Sequence, residues 1–345
     1  MSIKKFPFLT ACRCEKTDYT PIWLMRQAGR YMREYREIRK KYSFLTMCKT
    51  PEIAAEVTLQ PIKKINLDAA IIFADILLPL EGMGIDIEFP GNNAPIISNQ
   101  IKNLKDIEKL KIFEPEDKLS FVLETIKIIR RELYGKLPII GFSGAPFTLV
   151  CYLMDGGGRS SNYINTKSLM YNNRHAWELL LDKVTQVIIQ YLNAQIDAGV
   201  QAVQIFDSWV GCLSKYDYKN FVLPFSKKVI QNLKPDVPVI HFGVNNATLL
   251  ELMREAGGDV IGIDWRIDLK EAWKRIGLDR AIQGNLDPAI LFAPIPIIKE
   301  NVEMILKAAN RRPGHIFNLG HGILPGTPVD HVIALVDTVH TLSQK

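Results

Sequence analysis

Eight short apolar runs, rich in β-branched residues and bounded by turn formers, constrain the fold of this chain more than any other feature. They are PIWLM (21–25), DAAIIFAD (68–75), LPIIGFSG (137–144), AVQIFDS (202–208), VPVIHFG (237–243), VIGIDW (260–265), AIQGNL (281–286) and HIFNLGHG (315–322). Such runs read as strands buried on both faces. Between them lie stretches with helical spacing: PEIAAEVTLQPIKKI with Pro51 at its start, WELLLDKVTQVIIQYLNAQIDAG closed by Gly199, and NATLLELMREAGG closed by Gly257 and Gly258. Buried strands alternating with amphipathic helices make a parallel sheet, and eight repeats is the count of a closed (β/α)8 barrel. An open doubly wound sheet would carry a glycine-rich fingerprint after its first strand, and none is present. The expectation is therefore α/β, a single (β/α)8 TIM-type barrel domain over residues 1–345. Its longest departure from the repeat, residues 79–115, reads as a hairpin insertion after the second strand.

The 345 residues are 47% hydrophobic and 23% charged, enough apolar content for a well-filled core. A net charge of +6 suits an acidic ligand but is too mild to point to nucleic acid. The excess is local: residues 26–41 hold seven Arg or Lys against Glu34 and Glu37. Cysteines 12, 14, 48, 151 and 212 lack zinc spacing or a disulfide framework, which suggests reduced thiols in a cytoplasmic protein. No apolar run suits a signal peptide or a membrane span, so neither export nor an anchor is expected.

In a barrel the site gathers at the C-terminal ends of the strands. The polar residues there are Arg26 and Arg30, Asp75, Ser143, Ser208, His241, Asp264, Asn285 and His321. If the chain turns helical after Met25, the spacing of Arg26 and Arg30 stacks both guanidiniums on one face, fit to clamp carboxylates. The bland alternative is a solvated face pairing with Glu34 and Glu37. Position at a strand exit, with Gly29 allowing close approach, favours the clamp. Asp75 interrupts an apolar run, where it either caps the next turn or serves a ligand. His321 stands between two glycines that would expose both faces of its ring. Ser208 either binds a ligand or caps the following segment, and Asp207 carries the same ambiguity, with strand-end pairing favoured. Tyr152 lies just ahead of Gly156, Gly157 and Gly158, a run that suits a lid. Zinc spacing, a nucleophilic triad and a phosphate loop are all missing, so no metal and no cofactor are expected.

The stretches PIWLMRQAGRY, GFSGAPFTLVCY and NLGHGI, supported by FADIL and QGNLDP, closely resemble the uroporphyrinogen decarboxylase family over almost the whole chain. The resemblance implies that Arg26, Gln27, Ala28, Gly29 and Arg30 form a substrate-binding turn. It implies further that Asp75 is the central catalytic carboxylate, and that Tyr152, Ser208 and His321 contact substrate. It also implies a (β/α)8 barrel, a homodimer with facing clefts, uroporphyrinogen as substrate, and no metal or prosthetic group. The chain departs at Asp155, where the family has Glu or Ala, and the expected effect is limited to a surface charge.

Loss of carbon dioxide from an acetate needs an electron sink, and the pyrrole itself can serve. Protonation at the ring carbon bearing the acetate is the expected first step, with Asp75 held ionised by nearby cations and by pyrrole N–H donors, stabilising the pyrrole cation and anchoring the macrocycle centrally. Arg30, catalytic together with Asp75 in this reading, shares candidacy for the proton donor with His321, Tyr152 or a relayed water. Two rivals remain: a corrinoid-linked methyltransferase, which would need a cysteine two residues after His241 where Gly243 stands, and a non-catalytic tetrapyrrole carrier, which would not need Asp75.

Overall fold

Seven of the eight runs become strands of one parallel sheet. In a computed structural model describing residues 6–90, 94–156 and 162–344, nine strands are arranged along the chain: β1 (Ala70–Ile71), β2 (Ile87–Glu88), β3 (Ile96–Ile97), β4 (Ile139–Gly144), β5 (Ala202–Asp207), β6 (Val239–Gly243), β7 (Val260–Gly262), β8 (Ala281–Gln283) and β9 (His315–Ile316). The parallel sheet runs β1-β4-β5-β6-β7-β8-β9. Every residue of β4 and β6 is buried, as strands covered on both faces require. Helices alternate with these strands, and the architecture is that of a TIM-type α/β barrel.

The run 21–25 departs from expectation: it forms no regular strand, only a parallel bridge from Ile22 to Phe317. Pro21 has no N–H, and three side chains take the amides a ladder would use. Asp68 Oδ2 accepts from Ile22 N (2.7 Å), Gln27 Oε1 from Leu24 N (3.2 Å) and Asn318 Oδ1 from Met25 N (3.2 Å). Its carbonyls still bond to both edges of the sheet: Asp68 N donates to Ile22 O (2.9 Å), and Phe317 N to Pro21 O (2.8 Å).

The longest helix, Arg174–Ala198, begins where Asn173 Oδ1 accepts the Ala176 N–H and stops at Gly199, whose φ of +116° continues no right-handed helix. Its Trp177, Leu180, Leu181, Val184 and Ile188 are fully buried against the sheet, each contributing about 2 kcal/mol of apolar transfer. Among the described residues, no helix is long and apolar enough to cross a membrane.

Within residues 79–115, β2 and β3 pair antiparallel, with Ile87 opposite Ile97. The stretch is fastened to the long helix by Lys183, whose ammonium donates to the carbonyls of Ile107 (3.0 Å), Glu108 (2.8 Å) and Leu110 (2.9 Å). Lys183→Met keeps the aliphatic stem and removes three charge-assisted bonds, so it is expected to destabilise the fold by about 2 kcal/mol, read from the urea midpoint.

Candidate active site

Strand register decides which exit residues meet. Phe206 of β5 pairs in register with Phe242 of β6, and both line a cavity of about 880 Å³. Side chains alternate along a strand, so their neighbours Asp207 and His241 lie on the opposite face of the sheet, against the helices, and both are fully buried there. The same parity takes Ser143 out of the cavity. Asp264 is held by Asn245 N (2.7 Å), Arg266 N (3.1 Å) and the Arg266 guanidinium. Asn285 donates to Asp264 O (3.0 Å) and Ile267 O (2.7 Å), so both serve the neighbouring loops.

The cavity is lined by Arg26, Ala28, Gly29, Arg30, Asp75, Tyr152, Ser208 and His321 of the expected set. Gln27 is not among its lining residues. Its side chain is fully buried, bonded to Leu24 N and donating to Ala69 O (3.1 Å), so it braces the turn from behind. The turn itself is not helical: the helix begins only at Arg33. Instead Arg26 adopts a left-handed φ of +60°, uncommon for a residue with a Cβ and stabilised here by its surroundings. The turn closes through Gln27 N to Leu24 O and Met32 N to Gly29 O (both 3.0 Å). Tyr31 Oη donates to Gln27 O (2.8 Å), and the Arg36 guanidinium to the Arg30 and Tyr31 carbonyls. Glu34 pairs with Lys64 and Glu37 with Lys40, so among the described residues neither acid takes Arg26 or Arg30.

Arg26 is gripped from the other side by the loop carrying His321. A Cβ on Gly322 would lie 2.4 Å from Arg26 Cδ, and one on Gly320 would lie 2.5 Å from the Trp265 amide nitrogen. The glycines flanking His321 therefore permit close packing, in contrast to the expected exposure of the ring. Burial pulls the Arg26 guanidinium below its ordinary value; Arg30 pushes the same way and Asp75 opposes.

Asp75 both caps and faces the cavity: its Oδ1 accepts the Leu77 N–H at 2.9 Å while the residue lines the wall. Burial pushes its carboxyl up to about 6, against the Leu77 bond and then the Arg26 charge. Desolvation here outweighs the Arg26 charge, yet the carboxylate form still prevails at neutral pH. His321 is pulled down to about 4 by burial and by Arg26, so its ring is neutral. Tyr152 is pushed up to about 12 by burial and by Asp75. Ser208 does not cap the next segment, since the turn Val210–Cys212 starts at Trp209 with no side-chain cap.

Several lining residues escaped the sequence reading. Arg39 is a third cavity arginine, placed by the helix Arg33–Lys41. Phe142, Phe206 and Phe242 form an edge-to-face row, with centroids 5.5 and 5.9 Å apart. Phe89, next to β2, packs on Phe44 at 4.8 Å and also faces the cavity. The lining thus combines three arginines, a single carboxylate among the described residues, and several aromatic rings, which suits a large polyanionic ligand with an apolar body.

Asp155 is more than a surface charge: it accepts from Asn165 N (3.2 Å), Thr166 N (3.2 Å) and Thr166 Oγ1 (2.6 Å), fastening the start of the next helix. Of the glycine run read as a lid, only Gly156 lies within the described residues. Among those residues, no group of three or more His, Cys, Asp or Glu side chains is placed to hold a metal ion.

Residues 4–342 match the family described as Uroporphyrinogen decarboxylase (URO-D). The uroporphyrinogen decarboxylase of Carboxydothermus hydrogenoformans is 59% identical over 337 residues, covering 97% of this chain and 96% of that protein. That of Sorangium cellulosum is 54% identical over 336 residues, with 97% and 96% covered. Among solved structures, a methyltransferase from Methanosarcina mazei superposes with a TM-score of 0.83 over 97% of this chain and 98% of that one, at 22% identity, a likeness of fold alone.

Proposed function

The chain belongs to the uroporphyrinogen decarboxylase family and is a carboxy-lyase of tetrapyrrole biosynthesis; from that premise we propose that it converts the four acetates of uroporphyrinogen III to methyl groups without a cofactor, giving coproporphyrinogen III. The observation that carries the proposal is the cavity, whose lining among the described residues includes one carboxylate, Asp75, three arginines, Arg26, Arg30 and Arg39, and several phenylalanines. The arginines hold acetate and propionate carboxylates, and the phenylalanines take the pyrrole faces. Ser208, Tyr152 and the neutral His321 supply hydrogen bonds to the rim of the macrocycle. The turn Gln27, Ala28 and Gly29 sets how closely that rim approaches, while Asp75 accepts the pyrrole N–H groups.

Electron counting moves the first proton one atom away from the acetate-bearing carbon. A proton on the carbon bearing the acetate would leave that carbon saturated and unable to accept the electron pair. A proton on the adjacent α-carbon instead gives a cation shared by the ring nitrogen and the acetate-bearing carbon. The bond to the carboxylate then breaks, its electron pair forms an exocyclic methylene, and carbon dioxide leaves. A second proton makes the methyl group, and loss of the α-proton restores the pyrrole, so each acetate consumes one proton overall. Ionised Asp75 stabilises the cation. Neutral His321 and the tightly held Tyr152 phenol are poor acids at neutral pH, so the proton enters from solvent at the exposed mouth, where Arg30 orients it.

We place the enzyme in the cytoplasm as a homodimer, a reading supported by the five free cysteines and by the family resemblance. The corrinoid-linked methyltransferase alternative loses its histidine, because His241 faces away from the cavity. Anaerobic incubation of chelator-treated protein with uroporphyrinogen, followed by chromatography of the oxidised products, should yield the hepta-, hexa-, penta- and tetracarboxylate porphyrins. Recovery of uroporphyrin alone would overturn the proposal. Arg26→Lys replaces a planar fork with a point charge and is expected to raise KM about tenfold at little change in kcat, measured by steady-state kinetics.

A further inference from the structure

We propose that Asp207 and Thr148 are positioning residues that hold the Ser208–Trp209 turn against the substrate from outside the cavity. The inference rests on the reading of Ser208 as a substrate contact and deepens it. Asp207 ends β5 on the helix-facing side of the sheet, and its exposure is 0%. Its Oδ1 accepts the hydroxyl proton of Thr148 at 2.8 Å, and that same hydroxyl accepts the Trp209 N–H at 3.2 Å. Trp209 N can only donate, and when Asp207 is ionised its carboxylate can only accept, so in that form the single Thr148 proton goes to Asp207 while the hydroxyl oxygen accepts from the turn. Thr148 sits in the first turn of the helix Pro146–Asp155, so the relay ties that helix, the end of β5 and the turn to one point.

The relay bears on two cavity residues. Ser208 lies between Asp207 and Trp209, and the Trp209 ring packs on Tyr152 and Tyr163, with centroids 5.8 and 5.5 Å away. A shift of the Trp209 amide therefore moves the Ser208 hydroxyl and the packing surface of Tyr152 together. Asp207 itself is poorly served: among the described residues its Oδ2 has no hydrogen-bond partner, and burial pushes the carboxyl up to about 7 against the Thr148 bond. A half-satisfied buried carboxylate lowers stability, so its contribution is to the geometry of the turn and not to the fold.

A double-mutant cycle between Thr148 and Ser208 tests this. Thr148→Val keeps shape and removes both bonds; KM should rise about tenfold while kcat changes less than about threefold, and Thr148→Ser should recover KM to within about twofold. With Ser208→Ala the effects should not multiply, because both act at one contact; the double variant should bind no worse than the weaker single one. An unchanged KM in Thr148→Val, or full multiplication in the double variant, overturns the relay. If Ser208→Ala alone leaves KM unchanged, the reading of Ser208 as a substrate contact fails, and the relay fails with it. If Ser208→Ala raises KM and Thr148→Val does not, the relay alone fails. Should Thr148→Val not fold, Asp207→Asn enters the same cycle: it retains a neutral acceptor for Thr148, and KM should rise about threefold, again without multiplying with Ser208→Ala.

Discussion

Asp75→Asn is expected to lower kcat/KM by roughly a thousandfold while leaving the fold intact, since it keeps the shape and the Leu77 cap but removes the negative charge proposed to stabilise the pyrrole cation. Steady-state kinetics near wild-type rate would remove the charge from the mechanism. Two pH dependences accompany the loss. Wild-type kcat/KM should fall below about pH 6, where the Asp75 carboxylate takes up its proton, and Asp75→Asn should lack that limb. Stability moves in the opposite sense. The folded-state pKa lies above the ordinary 3.8, so the folded chain holds this proton more tightly than the unfolded chain does. The resulting penalty is absent below 3.8, grows between 3.8 and about 6, and is complete above that. Asp75→Asn should therefore raise the urea midpoint at neutral pH and lose that advantage in acid. A variant that is more stable and inactive cannot have failed by misfolding.

Gly322→Ala is the second large effect, expected to weaken kcat/KM by about a hundredfold through KM, with little change in the thermal midpoint. The added methyl would lie 2.4 Å from Arg26 Cδ and 2.6 Å from Cγ. Both atoms belong to a flexible side chain, so the backbone survives and the guanidinium is displaced. Steady-state kinetics beside Arg26→Lys checks this: an alanine at 322 that binds substrate as tightly as the wild type would mean that Arg26 finds its place without the loop.

The strand pattern was legible because strands covered on both faces write themselves as unbroken apolar runs. The exception, 21–25, looked like the others; it was removed from the ladder by the reach of Asp68, Gln27 and Asn318, and side-chain acceptors leave no periodic trace. Within the site, exit position found Arg26, Arg30, Asp75, Ser208 and His321, but it could not separate them from Ser143 and His241, which are carried to the other face by register. Register depends on pairing between distant strands, and a single run does not encode it. The cavity's Phe142, Phe206 and Phe242 were hidden for a related reason, since an aromatic facing a ligand and one facing the core have the same sequence signature. Arg39 was visible only as part of a basic stretch. The roles of Gly320 and Gly322 could not be read at all, because the groups that forbid a side chain there are Trp265 and Arg26, distant along the chain.

The clasp around residues 21–25 sets an order on biosynthesis. Met25 N–H waits for Asn318, its carbonyl for Ile323, and the Pro21 carbonyl for Phe317. These partners leave the ribosome almost a full chain length after the arginine turn they secure. The turn carrying Arg26 and Arg30 is thus translated well before the partners that lock it, so a nascent or truncated chain presents this basic segment without its folded geometry.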